Sequence, residues 1–164
     1  MTPWSQIDDI FFDKMEKDPQ LFQYYGLTSD EAKELATQRA HSCLKEAAVC
    51  MALNTNSGVN FTDFDDEEEC FNADLNYTEQ YLLACLAVEV YVGRDVARLA
   101  AFRANFVPTD LQVFSPANDR KTFMEMYADL QNQNRALLDA YNAKDRDTLE
   151  RLMLTFTDVE DSTD

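Results

Sequence analysis

The chain of 164 residues, 46% hydrophobic and 12% aromatic, is long enough to bury the core of one domain and too apolar to be disordered throughout. Its 31 acidic and 14 basic residues give a net charge of -17, which argues against direct DNA binding because phosphate contact needs basic stripes. No apolar run reaches the ~18 residues of a membrane span, and MTPWSQIDD lacks the basic and apolar regions of a signal peptide, so a cytosolic chain is expected.

In chain order, the pattern predicts an all-α fold, a bundle of about four main helices with ordered loops and a C-terminal arm. Thr2 reads as an N-cap with Pro3 at the first helical position, and Trp4, Ile7, Phe11 and Met15 mark one face. Pro19 stops this helix near Asp18, and LFQYYG reads as an aromatic connector punctuated by Gly26. The second helix starts with a capping box, Thr28 and Glu31, continues through Leu35, Ala36, Ala40, Cys43, Leu44, Ala47 and Met51, and ends around Leu53. A third begins near Asn76, spaced from Glu79 as a second capping box, and its apolar content from Leu82 to Leu99 makes it central; Gly93 is a candidate bend. Pro108 ends it, and Ser115 and Pro116 open a last long helix carried by Phe123, Tyr127, Leu130, Leu137 and Tyr141. Trp4, Phe123, Tyr127 and Leu130 are the candidate core. Asn134 falls in the same seam, where a polar side chain sets register or meets another chain. A short helix or extended arm over 145–156 then precedes an acidic tail, 158–164, expected to be disordered, which leaves 1–157 as a single domain.

Charge is uneven along the chain. No Lys, Arg or His lies between Lys45 and Arg94, where ten acids occur, and four more follow Arg151, so fourteen of the net seventeen charges come from two segments. The densest stretch, TDFDDEEECFNADL at 62–75, places Asp63, Asp65, Asp66, Glu67, Glu68 and Glu69 in the connection between the second and third helices. As a calcium loop it fails: the sixth position is Glu68 where glycine is needed, and the twelfth is Asp74 rather than a bidentate glutamate. Cys43, Cys50, Cys70 and Cys85 form no CxxC pair, and His41 is the only histidine, read as a surface or capping side chain rather than a catalyst, so buried free thiols and no metal or cofactor are expected. Cys43 and Cys50, seven apart, read as one buried face. No nucleophile, base or phosphate loop accompanies the carboxylates, and the chain is not read as an enzyme.

The ordered set WSQIDDIFFDKMEKD, FNADL, FSPANDRKTFMEMY and YNAKDR, running from Trp4 to Arg146, resembles a family of helical head-to-tail connector (adaptor, or neck) proteins of tailed phages and prophages. The resemblance implies a structural virion protein without cofactor, assembled in the bacterial cytoplasm. The protomer would belong to a homo-oligomeric ring, expected to have twelve copies. That ring would dock on the portal protein, meet the next neck or tail-completion protein, and let DNA only pass through its channel. The ending DTLERLMLTFTDVEDSTD departs from the basic, glycine-containing stretch usual after DR in that family. On this reading the acids of 63–69 line the channel or meet Arg94, Arg98 or Arg103 of a neighbour. The alternative is an acidic inhibitor that imitates DNA to block a host nucleic-acid-binding protein; concentration of the charge in one loop and one tail, rather than over a face, favours the ring subunit.

Overall fold

The computed structural model describes residues 1–15, 26, 28–105 and 117–152, with the backbone alone for 97–105 and 117–122. The expected aromatic connector, the Pro108 break, the Ser115–Pro116 helix start and the acidic tail lie outside the described residues. The fold is mainly helical: α1 (Trp4–Met15), α2 (Ser29–Asn54), α3 (Tyr77–Asn105) and α4 (Ala117–Asn142), with three two-residue strands, β1 (Thr2–Pro3), β2 (Phe64–Asp65) and β3 (Cys70–Phe71).

Helix α3 is the axis of the bundle. Leu82 through Val88 are buried without interruption, so this part of the helix is apolar all round, as a helix must be when α1, α2 and α4 all pack on it. Its start is the expected capping box: the Asn76 amide donates to Glu79 Oε2 (2.9 Å) and the Glu79 amide to Asn76 Oδ1 (3.0 Å). Helix α2 starts the same way, the Thr28 amide donating to Glu31 Oε2 (2.8 Å) and the Glu31 amide to the Thr28 hydroxyl (3.4 Å). Ala40, Cys43, Leu44, Ala47, Ala48 and Met51 form its buried stripe. Cys50, expected beside Cys43, is instead exposed. Seven residues fall about 20° short of two full helical turns, and that drift carries Cys50 past the edge of the stripe.

At Gly93 α3 continues as helix to Asn105, and the missing side chain makes room rather than a bend: a Cβ there would lie 2.8 Å from Tyr127 Oη. Helix α4 lies on α3 through half-buried Phe123, Tyr127 and Leu130, which rim the core, whereas Trp4 is 2% exposed and inside it. Asn134 sets the register of α4 within the protomer, its amide donating to the Cys85 carbonyl (3.1 Å) and to Glu89 Oε2 (2.8 Å).

Both ends of the described chain depart from the helical expectation. Thr2 does not cap α1. It pairs with β3, and its hydroxyl donates to the Ala73 carbonyl (3.1 Å) and accepts from the Leu75 amide (2.8 Å). The opening donor of α1, the Trp4 amide, is taken by the Glu69 carbonyl (2.8 Å). After α4 the described part of the expected helix or arm, residues 145–152, forms a turn, and 153–156 lie outside the described residues. Asp145 Oδ1 accepts from the Asp147 and Thr148 amides, and a Lys144–Arg151 bridge closes the turn.

That turn delivers Arg146 to the start of α3, where Glu79 is 0% exposed. Arg146 Nε donates to Glu79 Oε1 (2.6 Å), Nη2 donates to Oε2 (3.0 Å), and the Tyr141 hydroxyl donates to Oε1 (2.6 Å). Burial pushes the Glu79 carboxyl up, but the bonds from Arg146, Tyr141 and the Asn76 amide outweigh it and hold the group below the usual carboxylate range. Burial, with the Glu79 bond, pushes the Tyr141 phenol up to about 12.

Candidate functional site: the acidic hairpin

The acidic stretch is a hairpin built on two short strands, with the acids of its turn, Asp66 to Glu69, exposed. β2 and β3 pair antiparallel with Phe64 opposite Phe71 and Asp65 opposite Cys70, and β1 covers the other edge of β3. Phe64 and Phe71 meet edge to face (6.1 Å between centroids) and both reach Trp4, at 5.8 and 6.2 Å, so aromatic packing anchors the hairpin to the bundle. The turn is closed by Asp65, whose Oδ1 accepts from the Glu67 (2.8 Å) and Glu68 (3.1 Å) amides. It ends at Glu69, left-handed at φ 48°.

The six carboxylates are not equivalent in this frame. Asp63 accepts from the Asn72 side-chain amide (2.7 Å), and Asp65 is spent on the turn. Asp66 pairs with Lys45 Nζ (2.7 Å), itself above the Trp4 ring at 5.3 Å, and Glu69 Oε1 lies 3.6 Å from His41 Nδ1. Glu67 and Glu68 point their charge outward with no ion-pair or side-chain hydrogen-bond partner among the described residues. The six acids read from sequence thus share one hairpin, and Glu67 and Glu68 are the two whose carboxylates it does not use.

Of the candidate arginines, Arg94 is engaged within the protomer: its guanidinium bonds the Glu46 carboxylate and the Ser42 hydroxyl (3.0 Å). Arg98 and Arg103 sit on the last turns of α3, and their side chains lie outside the described residues. Among the described residues, the cationic partners of the hairpin in its own protomer are Lys45, with Asp66, and His41, with Glu69. Sequence reasoning passed over Lys45, and its reading of His41 as a surface or capping histidine is corrected by the structure, where the ring is buried against Trp4 and Asp8. Lys45 closes the base-free segment, and His41 lies one α-helical turn before it, so their spacing of four was the available signal.

His41 is 9% exposed, with Nε2 2.7 Å from Asp8 Oδ2 of α1 and its ring 4.9 Å from that of Trp4, edge on. Cys43 is fully buried, and burial lifts its thiol to about 11, which suits packing and not nucleophilic chemistry. Among the described residues, no group of three or more His, Cys, Asp or Glu side chains could hold a metal ion, and no helix is long and apolar enough to cross a membrane. No family model, curated protein or solved structure matches the chain.

Proposed function

We propose that the protein is a structural subunit of a tailed-phage neck, a ring-forming head-to-tail connector that docks on the portal and extends the DNA channel toward the tail. The observation that carries this reading is the way the segments bearing the resemblance interlock. Arg146 of YNAKDR donates to the carbonyl of Asp74 in FNADL (2.7 Å), and Trp4 of the first segment packs on Phe71 of the same FNADL. Residues far apart in sequence, from three of the four segments on which the resemblance rests, thereby help to hold α1, the hairpin, α3 and the α4 turn together. Support also comes from exposed apolar side chains, Met124 and Met126 near the start of α4 (each 51% exposed), Leu137 farther along it and Leu149 and Leu152 in the turn after it, which neighbouring subunits would cover.

In such a ring Glu67 and Glu68 act by charge alone. As a channel wall they repel phosphate and keep moving DNA from sticking; facing a neighbour's Arg98 or Arg103 they add about 0.2–1 kcal/mol per exposed pair, repeated at every interface. Glu67→Gln with Glu68→Gln separates these roles, since neither side chain holds the hairpin together. Slowed DNA ejection from intact particles is the channel-wall result, and loss of ring formation is the interface result. Particles that assemble, package and infect at the unmodified rate would remove the hairpin from the functional account. The DNA-mimic reading is weaker here, because Asp63, Asp65, Asp66 and Glu69 are committed to contacts inside the protomer.

A further inference from the structure

We infer that His41 is a proton-operated clasp for the acidic hairpin: the imidazolium joins Asp8 of α1 to Glu69 of the turn, and the neutral ring lets Glu69 go. The geometry sets a carboxylate beside each ring nitrogen, which favours the charged ring. Asp8 Oδ2 and Glu69 Oε1 sit on opposite ring nitrogens, at 2.7 and 3.6 Å, the first a hydrogen bond and the second an ion-pair separation. Only the charged ring carries N–H on both sides; a neutral ring that keeps its N–H toward Asp8 turns a lone pair toward the Glu69 carboxylate.

What the clasp holds is under backbone strain. Glu69 adopts φ 48°, disfavoured for a residue with a Cβ, so losing the His41 contact removes one of the forces that keep the turn in this shape. Beside the clasp lies an open cleft of about 370 Å3, lined by Asp30, Lys33, Glu34, Thr37, Gln38, His41 and Glu69, into which the freed Glu69 side chain can swing.

The charged groups around His41 are Asp8 from α1, Glu69 from the hairpin, and Lys45 from its own helix, the last neutralised in part by Asp66; Asp30, Lys33 and Glu34 of α2 line the cleft. The Asp8 hydrogen bond, opposed by burial and helped by the charges of Asp8 and Glu69, raises the His41 pKa above its ordinary 6.5. A value raised in the folded state means that the closed clasp contributes fully below about pH 6.5 and is lost as pH rises through the raised value. This holds for a single protomer and does not depend on ring formation.

The chain has one tryptophan and one histidine, which makes the test clean. Trp4 emission and the amide NMR shifts of Glu68 to Asn72 are followed from about pH 5.5 to 9 in the full chain. Both are expected to titrate together with one midpoint above 6.5. In Glu69→Gln the His41 midpoint moves down and the pH dependence of the hairpin amides is lost; in Asp8→Asn the midpoint falls further. Hairpin amides that stay fixed while His41 titrates, or a midpoint that Glu69→Gln leaves in place, would overturn the clasp. Should Asp8→Asn fail to fold, Glu69→Gln decides alone, because the buried Asp8–His41 pair is intact in it.

Discussion

Arg146→Met is expected to destabilise the protein by about 3–5 kcal/mol and to invert its response to acid, because it strands a carboxylate that has no exposure to water. In the unmodified protein the Glu79 carboxyl sits below its ordinary 4.5, so its contribution is present above that pH and is lost as pH falls through the depressed value. Without the guanidinium, burial is the larger effect and the Glu79 pKa rises. The variant is then weakest above the raised value and recovers as pH falls toward 4.5. Urea unfolding of both proteins at about pH 7 and 5 reads the two slopes. Adding Glu79→Gln to Arg146→Met should recover part of the loss by removing the stranded charge. Equal pH dependence in the single variant and the unmodified protein would mean that Glu79 reaches water and that the turn after α4 is not locked to α3.

The second large effect is expected at Phe71→Ala, about 3–5 kcal/mol by loss of a buried ring and the cavity left behind. Phe71 is 0% exposed, faces Phe64 across the hairpin and Thr2 across the other edge, and touches the Trp4 ring. Three elements therefore lose a neighbour at once. The same truncation at half-buried Phe123 should cost about 1–2 kcal/mol, since much of that ring is in water before the change. Thermal unfolding followed by circular dichroism compares them. Equal shifts at the two positions would show that the hairpin is peripheral to stability and that α4 is as deep as the sequence pattern suggests.

That contrast marks what sequence could reveal. The four helices, the boundary of α2 at Asn54 and both capping boxes were legible because Thr28–Glu31 and Asn76–Glu79 carry a local rule, and the proline-free runs of 26 and 29 residues that follow them are too long for strands. The hairpin was not. Its strands are two residues long, too short for any alternation to register, and the acids between them drew attention from the aromatic pair Phe64 and Phe71. The role of Thr2 was misread for the same reason: Thr-Pro before an amphipathic run looks like a cap, and only the partner strand shows that its hydroxyl serves Ala73 and Leu75. Glu79 was read as a cap alone. Its second partner, Arg146, is 67 residues away, and no local pattern connects them. Likewise the depth of α4 was overstated, because periodicity gives the direction of a face but not how far the neighbouring helix covers it.

The central claim, that this protomer builds a ring on a phage portal, is tested most directly by light scattering on the full chain, alone and mixed with the portal protein of the same phage. The account predicts a closed assembly of about twelve copies of the 18.8 kDa chain, formed alone or on the portal ring and visible as an annulus by electron microscopy. A chain that stays an 18.8 kDa monomer in the presence of portal rings, and inhibits a DNA-binding enzyme instead, would contradict it.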